Sequence, residues 1–304
     1  MIGVDLGGTK ILAGLALPDG EILAVREEPT QHGEGAPVLL QISDMTAQLA
    51  DAAGFCLADV AQMVIGVPSA VSPQTGLSSL SPNLALPADT PLATLMARHV
   101  PFPVAVENDV NLAAYGEAMA GDKANAGSLV FVSFGTGVGM GLVIQGEIIR
   151  GAFGRAGEIA YLPVGDRPHA LAPSSENGLF EDRVGTAGIR KRFSLGAESV
   201  ADLFARANAG DEKSLAAIDD VAREASLGIA AVQALIDPSR IAIGGGIGSQ
   251  SLFLDRLKYH LAPLLPFACP VAPSRFGARA GLVGSVAFAA RLASSAPANF
   301  LKAP

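Results

Sequence analysis

The sequence contains no tryptophan, only two cysteines and few charged residues. Cys56 and Cys269 are too few for a disulfide framework or for a metal site built from several thiolates. Basic residues number 21 against 29 acidic ones, which gives a net charge of −8. With no basic run, this balance argues against a nucleic-acid partner and against an anionic membrane surface.

Targeting and membrane-spanning segments are not expected either. Asp5 and Lys10 fall within the first ten residues, which therefore lack the apolar stretch of a signal peptide. Residues 124–146 carry no charge and are long enough to cross a bilayer, but glycines, Ser133 and Thr136 interrupt them. We interpret this stretch as two buried strands around a turn. A reducing cytoplasm is the expected location.

Apolar residues make up 50% of the sequence, which is enough for sizeable cores. The length of 304 residues predicts two domains. An internal repeat supports this division. Residues 4–23 and 132–149 both comprise an apolar strand, a tight Gly/Thr turn, a second apolar strand, a glycine turn and a Glu-Ile pair that opens a third strand. Two such hairpins about one domain apart are typical of a duplicated fold, although two unrelated hairpins would give the same pattern.

The remaining segments alternate between strand and helix patterns, which predicts an α/β fold with mixed sheets. Short buried strands are expected at 63–67, 104–107 and 240–243. Residues 155–192 show little periodicity and are rich in Pro, Gly and carboxylates, so we predict a long functional loop there. Helical spacing is expected for 36–53, 108–119, 199–209, 211–236, 252–265 and 282–292.

The first hairpin turn offers groups that suit phosphate. It lacks the P-loop pattern, and it lacks the dinucleotide fingerprint because no helix follows its glycines. Asp5, at the end of the strand, is suited to a hydrated Mg²⁺. The turn equally fits a plain hairpin whose glycines only shape the backbone. The candidate phosphate ligands are the amides of Gly7 and Gly8, the Thr9 hydroxyl and the Lys10 ammonium.

Two further glycine clusters are candidates for nucleotide contacts. Residues 135–141 place glycine at alternate positions, which weakens a strand unless a ligand or another element must approach its backbone. Gly244, Gly245 and Gly246 follow a strand and precede a helix, where amides face an anion in many proteins. Close packing of strand against helix would explain the glycines of 135–141 without a ligand.

The segment Glu107-Asn-Asp-Val-Asn111 places several polar side chains between a buried strand and a helix. One Asn or Asp is enough to cap the helix. The surplus predicts hydrogen bonds to a polyhydroxylated ligand, with Asp109 placed to accept a hydroxyl proton. Glu158 and Glu181 suit vicinal sugar hydroxyls, although solvated surface charge is the alternative. Asn83 fits a turn equally well.

Together these residues resemble the ROK family of sugar kinases and related repressors, which has the actin-like/hexokinase (ribonuclease H-like) ATPase fold. The resemblance covers nearly the whole chain. Its motifs are DLGGTK (5–10), GVPSAV (66–71), SPNL (81–84), ENDVN (107–111), FGTGVGMG (134–141), GRAGEIAY (154–161) and IGGGIG (243–248).

The resemblance implies two duplicated α/β domains with a cleft between them, and it assigns a role to each candidate. The smaller domain would comprise 1–106 and about 282–304, the larger one 107–281. Asp109 would be the general base, and Asp5 would hold Mg²⁺ through water. The nucleotide would contact Asp5, Gly7, Gly8, Thr9, Lys10, Gly135, Thr136, Gly137, Gly244, Gly245 and Gly246. The sugar would contact Asn83, Asn108, Asp109, Glu158, Tyr161 and Glu181.

Two departures from the family pattern affect the expected substrate and metal. Tyr161 stands where the family commonly has a histidine that contacts the sugar. The cysteines of the family's zinc loop are missing, so we expect no structural zinc and expect residues 174–180 to be held by packing.

The function that follows is ATP-dependent phosphorylation of a hexose, glucose-like first, at its primary hydroxyl. Fructose or an N-acetylhexosamine is an alternative substrate, and polyphosphate an alternative donor. A non-catalytic sugar sensor on the same scaffold, or an actin-like ATPase without a sugar, are alternative functions. A homodimer is expected from the resemblance alone.

Overall fold

A computed structural model describes residues 1–33, 36–79, 89–120 and 127–295. The chain divides into two compact units. The first unit comprises Met1–Ala120, Arg150–Ala156 and Arg279–Pro304, and the second comprises Gly121–Ile149 and Gly157–Ala278. Each unit has a five-stranded sheet and a separate core of buried apolar side chains.

The first unit begins with a three-stranded hairpin and ends with a long helix. Its elements are β1 (Ile2–Leu6), β2 (Lys10–Ala16), β3 (Ile22–Pro29), α1 (Pro37–Ala52), β4 (Met63–Val67), β5 (Ala70–Val71), β6 (Ser78–Ser79), α2 (Leu92–Met96), β7 (Val104–Asn108), α3 (Asp109–Met119) and α11 (Ala280–Ser295).

The sheet of the first unit has the order β3-β2-β1-β4-β7. Strands β1, β2 and β3 pair antiparallel, whereas β1, β4 and β7 run parallel. Strands β1 and β4 are almost entirely buried, as their continuous apolar sequences predict for strands covered on both faces. The carboxyl ends of β1, β4 and β7 therefore lie side by side at one edge.

Helices α3 and α11 pack closely because glycines face each other at their contact. A Cβ at Gly116 would lie 2.8 Å from the Gly284 nitrogen, and one at Gly284 would lie 1.7 Å from the Leu112 carbonyl oxygen. Helix α11 also covers β1, where a Cβ at Gly3 would lie 2.8 Å from Val286 Cγ2. Glycine at these positions sets how closely the helices approach each other and the sheet.

The second unit repeats the plan of the first. Its elements are β8 (Ser128–Phe134), β9 (Val138–Ile144), β10 (Glu147–Ile148), α4 (Pro168–Leu171), α5 (Glu181–Val184), α6 (Thr186–Arg192), α7 (Val200–Asn208), α8 (Glu212–Ile236), β11 (Arg240–Gly244), α9 (Gly245–Gly248), α10 (Ser251–Leu261) and β12 (Val271–Pro273).

The sheet of the second unit has the order β10-β9-β8-β11-β12, with an antiparallel hairpin followed by parallel β8, β11 and β12. This is the same arrangement as in the first sheet, so the duplication predicted from the two hairpins is confirmed. Phe134, Phe180 and Phe253 are completely buried in the core, where Phe180 packs edge-on and Phe253 tilted against Phe134.

Two predictions about organisation differ from the structure. Residues 107–120, which the sequence analysis places in the larger domain, group with the first unit because α3 packs on α11. Residues 155–192 contain the short helices α4, α5 and α6 within an otherwise largely irregular segment, rather than one uninterrupted loop. Within the part of the chain that the structure describes, no helix has the length and hydropathy that crossing a membrane requires.

Candidate active site

The first glycine turn joins β1 to β2 and leaves amides available to a ligand. The Gly7 amide donates to the Lys10 carbonyl at 3.0 Å, and the Thr30 hydroxyl donates to the Gly7 carbonyl at 2.7 Å. Among the described residues, no group accepts a hydrogen bond from the Gly8 or Thr9 amide. This arrangement fits a phosphate-binding turn.

Asp5 lies at the end of β1, half-buried, and no hydrogen bond from the described residues reaches its carboxylate. Burial raises the pKa of Asp5 to about 6, and the nearby Lys10 charge only partly opposes this. An unpartnered carboxylate of this kind fits a cation. Lys10 itself forms an exposed ion pair with Glu27 at 2.8 Å, so binding phosphate requires it to leave that partner.

Asp109 lies at the same sheet edge as Asp5. In the register of the parallel strands, Asp5 pairs with Gly66 and Gly66 pairs with Glu107, two residues before Asp109. A Cβ at Gly66 would lie 3.4 Å from the Asp109 Cα, so α3 begins directly over the end of β4. The first unit thus brings the phosphate turn and the candidate base to one edge.

Some polar groups around Asp109 form hydrogen bonds within the protein, and others remain for a ligand. Asn108 caps α3, because its side-chain oxygen accepts from the Asn111 amide at 2.9 Å while its Nδ2 donates to the Ser69 carbonyl at 3.2 Å. Asn108 therefore has the capping role that the sequence analysis weighed against sugar binding, and one lone pair and one N–H remain for a ligand. Asp109 Oδ1 accepts from the Val110 amide at 2.8 Å.

Glu107 is buried beneath these residues and holds them in place. It is 3% exposed, and its Oε1 accepts from the Asn108 amide and the Asn111 Nδ2, both at 2.9 Å. Its Oε2 forms an ion pair with Arg150 at 2.5 Å. Every oxygen of this buried carboxylate is therefore partnered, so Glu107 supports the site and does not face a ligand.

In the second unit, the turn between β8 and β9 has a firmly held backbone. The Gly135 amide donates to the Gly137 carbonyl at 2.9 Å. The Val138 amide donates to Glu181 Oε2 at 2.8 Å, and the Thr186 hydroxyl donates to the Gly135 carbonyl at 2.9 Å. No described acceptor takes the amides of Thr136 and Gly137, which suits a second phosphate turn.

The glycines after β11 lie against this turn. A Cβ at Gly135 would lie 3.5 Å from the Gly246 nitrogen. Gly245 has a φ of +82° and would place a Cβ 2.3 Å from the Phe134 carbonyl oxygen, so this position requires glycine. A Cβ at Gly246, in contrast, would meet nothing within 4 Å. Two of the three predicted nucleotide-binding clusters thus form one backbone surface.

Among the candidate sugar ligands of the second unit, Glu181 contacts the same turn through the Val138 amide. Burial raises the pKa of Glu181, the Val138 amide lowers it, and the negative charges of Asp182 and Glu158 raise it further, so Glu158 and Glu181 lie near each other. Tyr161 follows in a short turn and is 49% exposed. Asn83 lies outside the described residues.

Residues 174–180 are held by hydrogen bonds as well as by the packing that we predicted, and an ion pair holds Arg183 just after them. Phe180 is fully buried and its amide donates to the Ala160 carbonyl at 3.0 Å. The Ser175 hydroxyl donates to Asp182 at 2.6 Å, and Arg183 forms an ion pair with Glu224 at 3.1 Å. Among the described residues, no group of three or more His, Cys, Asp or Glu side chains could hold a metal ion.

Comparison with known proteins shows the family. The chain matches the ROK family over residues 1–292. The chain belongs to the ROK family. It is 30% identical to a glucokinase from Halalkalibacterium halodurans (93% of this chain, 92% of the relative) and 27% identical to a beta-glucoside kinase from Listeria monocytogenes (93% and 94%). A ROK family glucokinase from Streptomyces griseus, solved with glucose and AMPPNP, superposes with a TM-score of 0.78 at 28% identity (96% and 99%).

This ROK protein is therefore a sugar kinase, and its fold is the actin-like ATPase fold that the motifs predict. Arg150, Thr186 and Glu224 support the site but were missed in the sequence. Each pairs with a partner at least 41 residues away, and no local pattern indicates such a pair. One signal was available for the two ion pairs. In each pair a glutamate, Glu107 or Glu224, occupies a position that is otherwise typical of the core.

Proposed function

We propose that this ROK sugar kinase transfers the γ-phosphoryl group of ATP to the primary hydroxyl of a glucose-type hexose. The observation that carries the proposal is the common sheet edge of Asp5, the first phosphate turn and Asp109. Two glucokinase relatives, one of them solved with glucose and AMPPNP, support glucose and ATP as the substrate pair.

The proposed acceptor chemistry centres on Asp109. Its carboxylate orients the sugar hydroxyl and accepts the hydroxyl proton as the oxygen bonds to the γ-phosphorus. The bond between that phosphorus and the bridging oxygen of ADP breaks, and Asp109 then returns its proton to solvent. Its place in the first turn of α3 favours the ionised carboxylate, because a helix N-terminus stabilises negative charge. A positioned base typically contributes 10²–10⁴-fold.

The donor side relies on backbone amides. In phosphoryl transfer the protein mainly positions the reacting groups and stabilises the charge on the transferred phosphoryl group. The amides of Gly8 and Thr9 in the first unit, and of Thr136 and Gly137 in the second, have no described acceptor and are available to phosphate oxygens. Gly244, Gly245 and Gly246 would lie on the adenosine side.

Asp5 is the residue that would hold Mg²⁺. Its carboxylate is half-buried and unpartnered among the described residues, and burial raises its pKa, so a divalent cation fits there. Such an ion commonly binds through few carboxylates and keeps several waters. When bound, Mg²⁺ would neutralise phosphate charge.

Sugar recognition would use the remaining polar groups. Asn108 retains one N–H and one lone pair, and Glu181 retains one carboxylate oxygen beyond its bond to Val138. Glu158, Tyr161 and Asn83 complete the proposed set. Tyr161 cannot supply the ring nitrogens of a histidine, so it would change a hydrogen bond to the sugar.

An assay of ADP release over a panel of glucose, fructose, mannose, N-acetylglucosamine, N-acetylmannosamine and an aryl β-glucoside tests this function. We expect glucose to stimulate release most, and the product to be a substrate of glucose-6-phosphate dehydrogenase. A parallel series with polyphosphate tests the donor. Sugar binding without ADP release would favour a sensor, and release that no sugar stimulates would favour a plain ATPase.

A further inference from the structure

The residues that precede and begin α6 hold the second phosphate turn on two sides. Glu181 Oε2 accepts the Val138 amide at 2.8 Å on one side. On the other side, the Thr186 amide donates to the carbonyls of Gly135 and Thr136, both at 3.1 Å, and the Thr186 hydroxyl donates to the Gly135 carbonyl at 2.9 Å. We call residues 181–192 the clamp segment.

These contacts determine which way the turn faces. The carbonyls of Gly135 and Thr136 are directed to Thr186, which leaves the amides of Thr136 and Gly137 without a described acceptor. The approach is close, because a Cβ at Gly185 would lie 3.2 Å from the Thr136 carbonyl oxygen and 2.9 Å from Glu181 Cγ. A turn held with its carbonyls on one side presents its amides on the other, as an anion requires.

Two ion pairs attach the clamp segment to the long helix α8. Arg183 pairs at 3.1 Å with Glu224, which is 7% exposed. Arg192 donates to the Arg183 carbonyl and pairs with Asp220 on the same helix. A Cβ at Gly165 would lie 2.5 Å from the Arg183 guanidinium, so Arg183 is packed as well as paired. The segment is thus attached to a 25-residue helix at two points.

We propose that Thr186 and the Arg183–Glu224 pair are positioning residues for nucleotide binding. Thr186 orients the second turn directly, and the ion pair keeps the clamp segment in place beneath it. The inference rests on the proposed function, because it takes the second turn to bind the nucleotide. Arg183, Thr186 and Glu224 all lie outside the family motifs given above.

The direct test replaces Thr186 by valine, which has nearly the same shape but no hydroxyl. We expect the Kd for Mg·AMPPNP, measured by calorimetry, to rise about 3- to 10-fold, which is the loss of roughly one hydrogen bond. The KM for ATP should rise similarly, whereas the sugar KM should stay within twofold. Thr186→Ser should restore nucleotide affinity.

Thr46→Val is the matched control. The Thr46 hydroxyl likewise donates to a backbone carbonyl, that of Ile42, but Thr46 is buried and lies in α1. It should lower the melting temperature without changing nucleotide affinity. A second variant, Arg183→Met with Glu224→Gln, removes both charges together and should weaken AMPPNP binding more than sugar binding.

The inference is overturned if folded Thr186→Val binds AMPPNP within twofold of the wild type, or if sugar and nucleotide affinity fall equally. If the Arg183/Glu224 variant fails to fold, the Thr186 result alone decides. The readout also separates this inference from the proposed function. A wild type that binds AMPPNP but phosphorylates no sugar would contradict the function while leaving the clamp testable.

Discussion

A Cβ at Gly281 would lie 2.6 Å from Oδ2 of Asp5, so the start of α11 is in direct contact with the carboxylate that we assign to Mg²⁺. Gly281→Ala should therefore rotate the Asp5 side chain away from its present position. The fold should tolerate the change, since the atom that must move is the end of a side chain and alanine favours the helix. We expect the melting temperature to change by no more than about 3 °C, as for a free-energy change below 1 kcal/mol. The kcat/KM for Mg·ATP should fall at least tenfold. A wild-type value would contradict this placement of Asp5.

Asp5→Asn should raise stability and lower activity. Because burial holds the folded-state pKa of Asp5 near 6 and the unfolded value is near 3.8, folding with an ionised Asp5 is penalised. The difference corresponds to about 3 kcal/mol above pH 6 and disappears below pH 4. Part of it is offset because the buried amide must also be desolvated.

Urea unfolding without nucleotide, as a function of pH, measures this effect. Asp5→Asn should be more stable than the wild type by about 2 kcal/mol at pH 7.5, and the gap should close as the pH falls to 4. Phosphoryl transfer by the variant should be strongly reduced at every pH. An equal or lower stability of the variant at pH 7.5 would show that the carboxylate is not under this strain.

Arg150→Met should destabilise the first unit. It leaves Glu107, 3% exposed, as a buried charge without its ion-pair partner. Breaking a buried pair from one side typically costs about 3–5 kcal/mol, whereas removing both charges costs much less. The double variant Arg150→Met/Glu107→Gln should therefore recover most of the loss, since glutamine can still accept from Asn108 and Asn111. Equilibrium denaturation of the single and double variants checks this, and additive losses would argue against a coupled pair.

Gly245 and Gly246 are adjacent but should respond differently to substitution. A Cβ at position 245 would lie 2.3 Å from the Phe134 carbonyl oxygen, and the φ of this residue is positive. We therefore expect Gly245→Ala to lower the free energy of unfolding by about 1–3 kcal/mol. Gly246→Val meets no protein atom within 4 Å at its Cβ and should fold nearly normally. Its side chain would instead occupy space on the proposed nucleotide side. We therefore expect the KM for ATP to rise at least fivefold with Gly246→Val, and an unchanged KM would remove Gly246 from the site.

The sequence was sufficient for most of the secondary structure. The strand predicted at 63–67 matches β4, and the helix predicted at 211–236 matches α8 within one residue, because both have strong local patterns. The duplication followed from two hairpins with the same order of turn residues. Residues 155–192 were predicted as a loop because α4, α5 and α6 are each too short to show helical periodicity.

The candidate site was only partly predictable, since its support comes from pairs distant in the chain. The polar surplus at 107–111 suggested hydrogen bonds to a ligand, with one residue left to cap the helix, but Glu107 binds Arg150 and Asn108 caps α3. Similarly, Glu181 was expected to face the sugar, and one of its oxygens holds the Val138 amide instead. Partners that are distant in the chain cannot be predicted from the local sequence pattern.

The central claim is that Asp109 removes the proton of a sugar hydroxyl. Glucose-stimulated ADP release by the wild type and by Asp109→Ala tests it most directly, with glucose affinity measured separately by calorimetry. We predict that kcat falls about 10²–10⁴-fold in the variant, whereas the Kd for glucose changes by less than about fivefold and the fold is retained. A folded Asp109→Ala enzyme that keeps near-wild-type turnover with glucose would contradict the account.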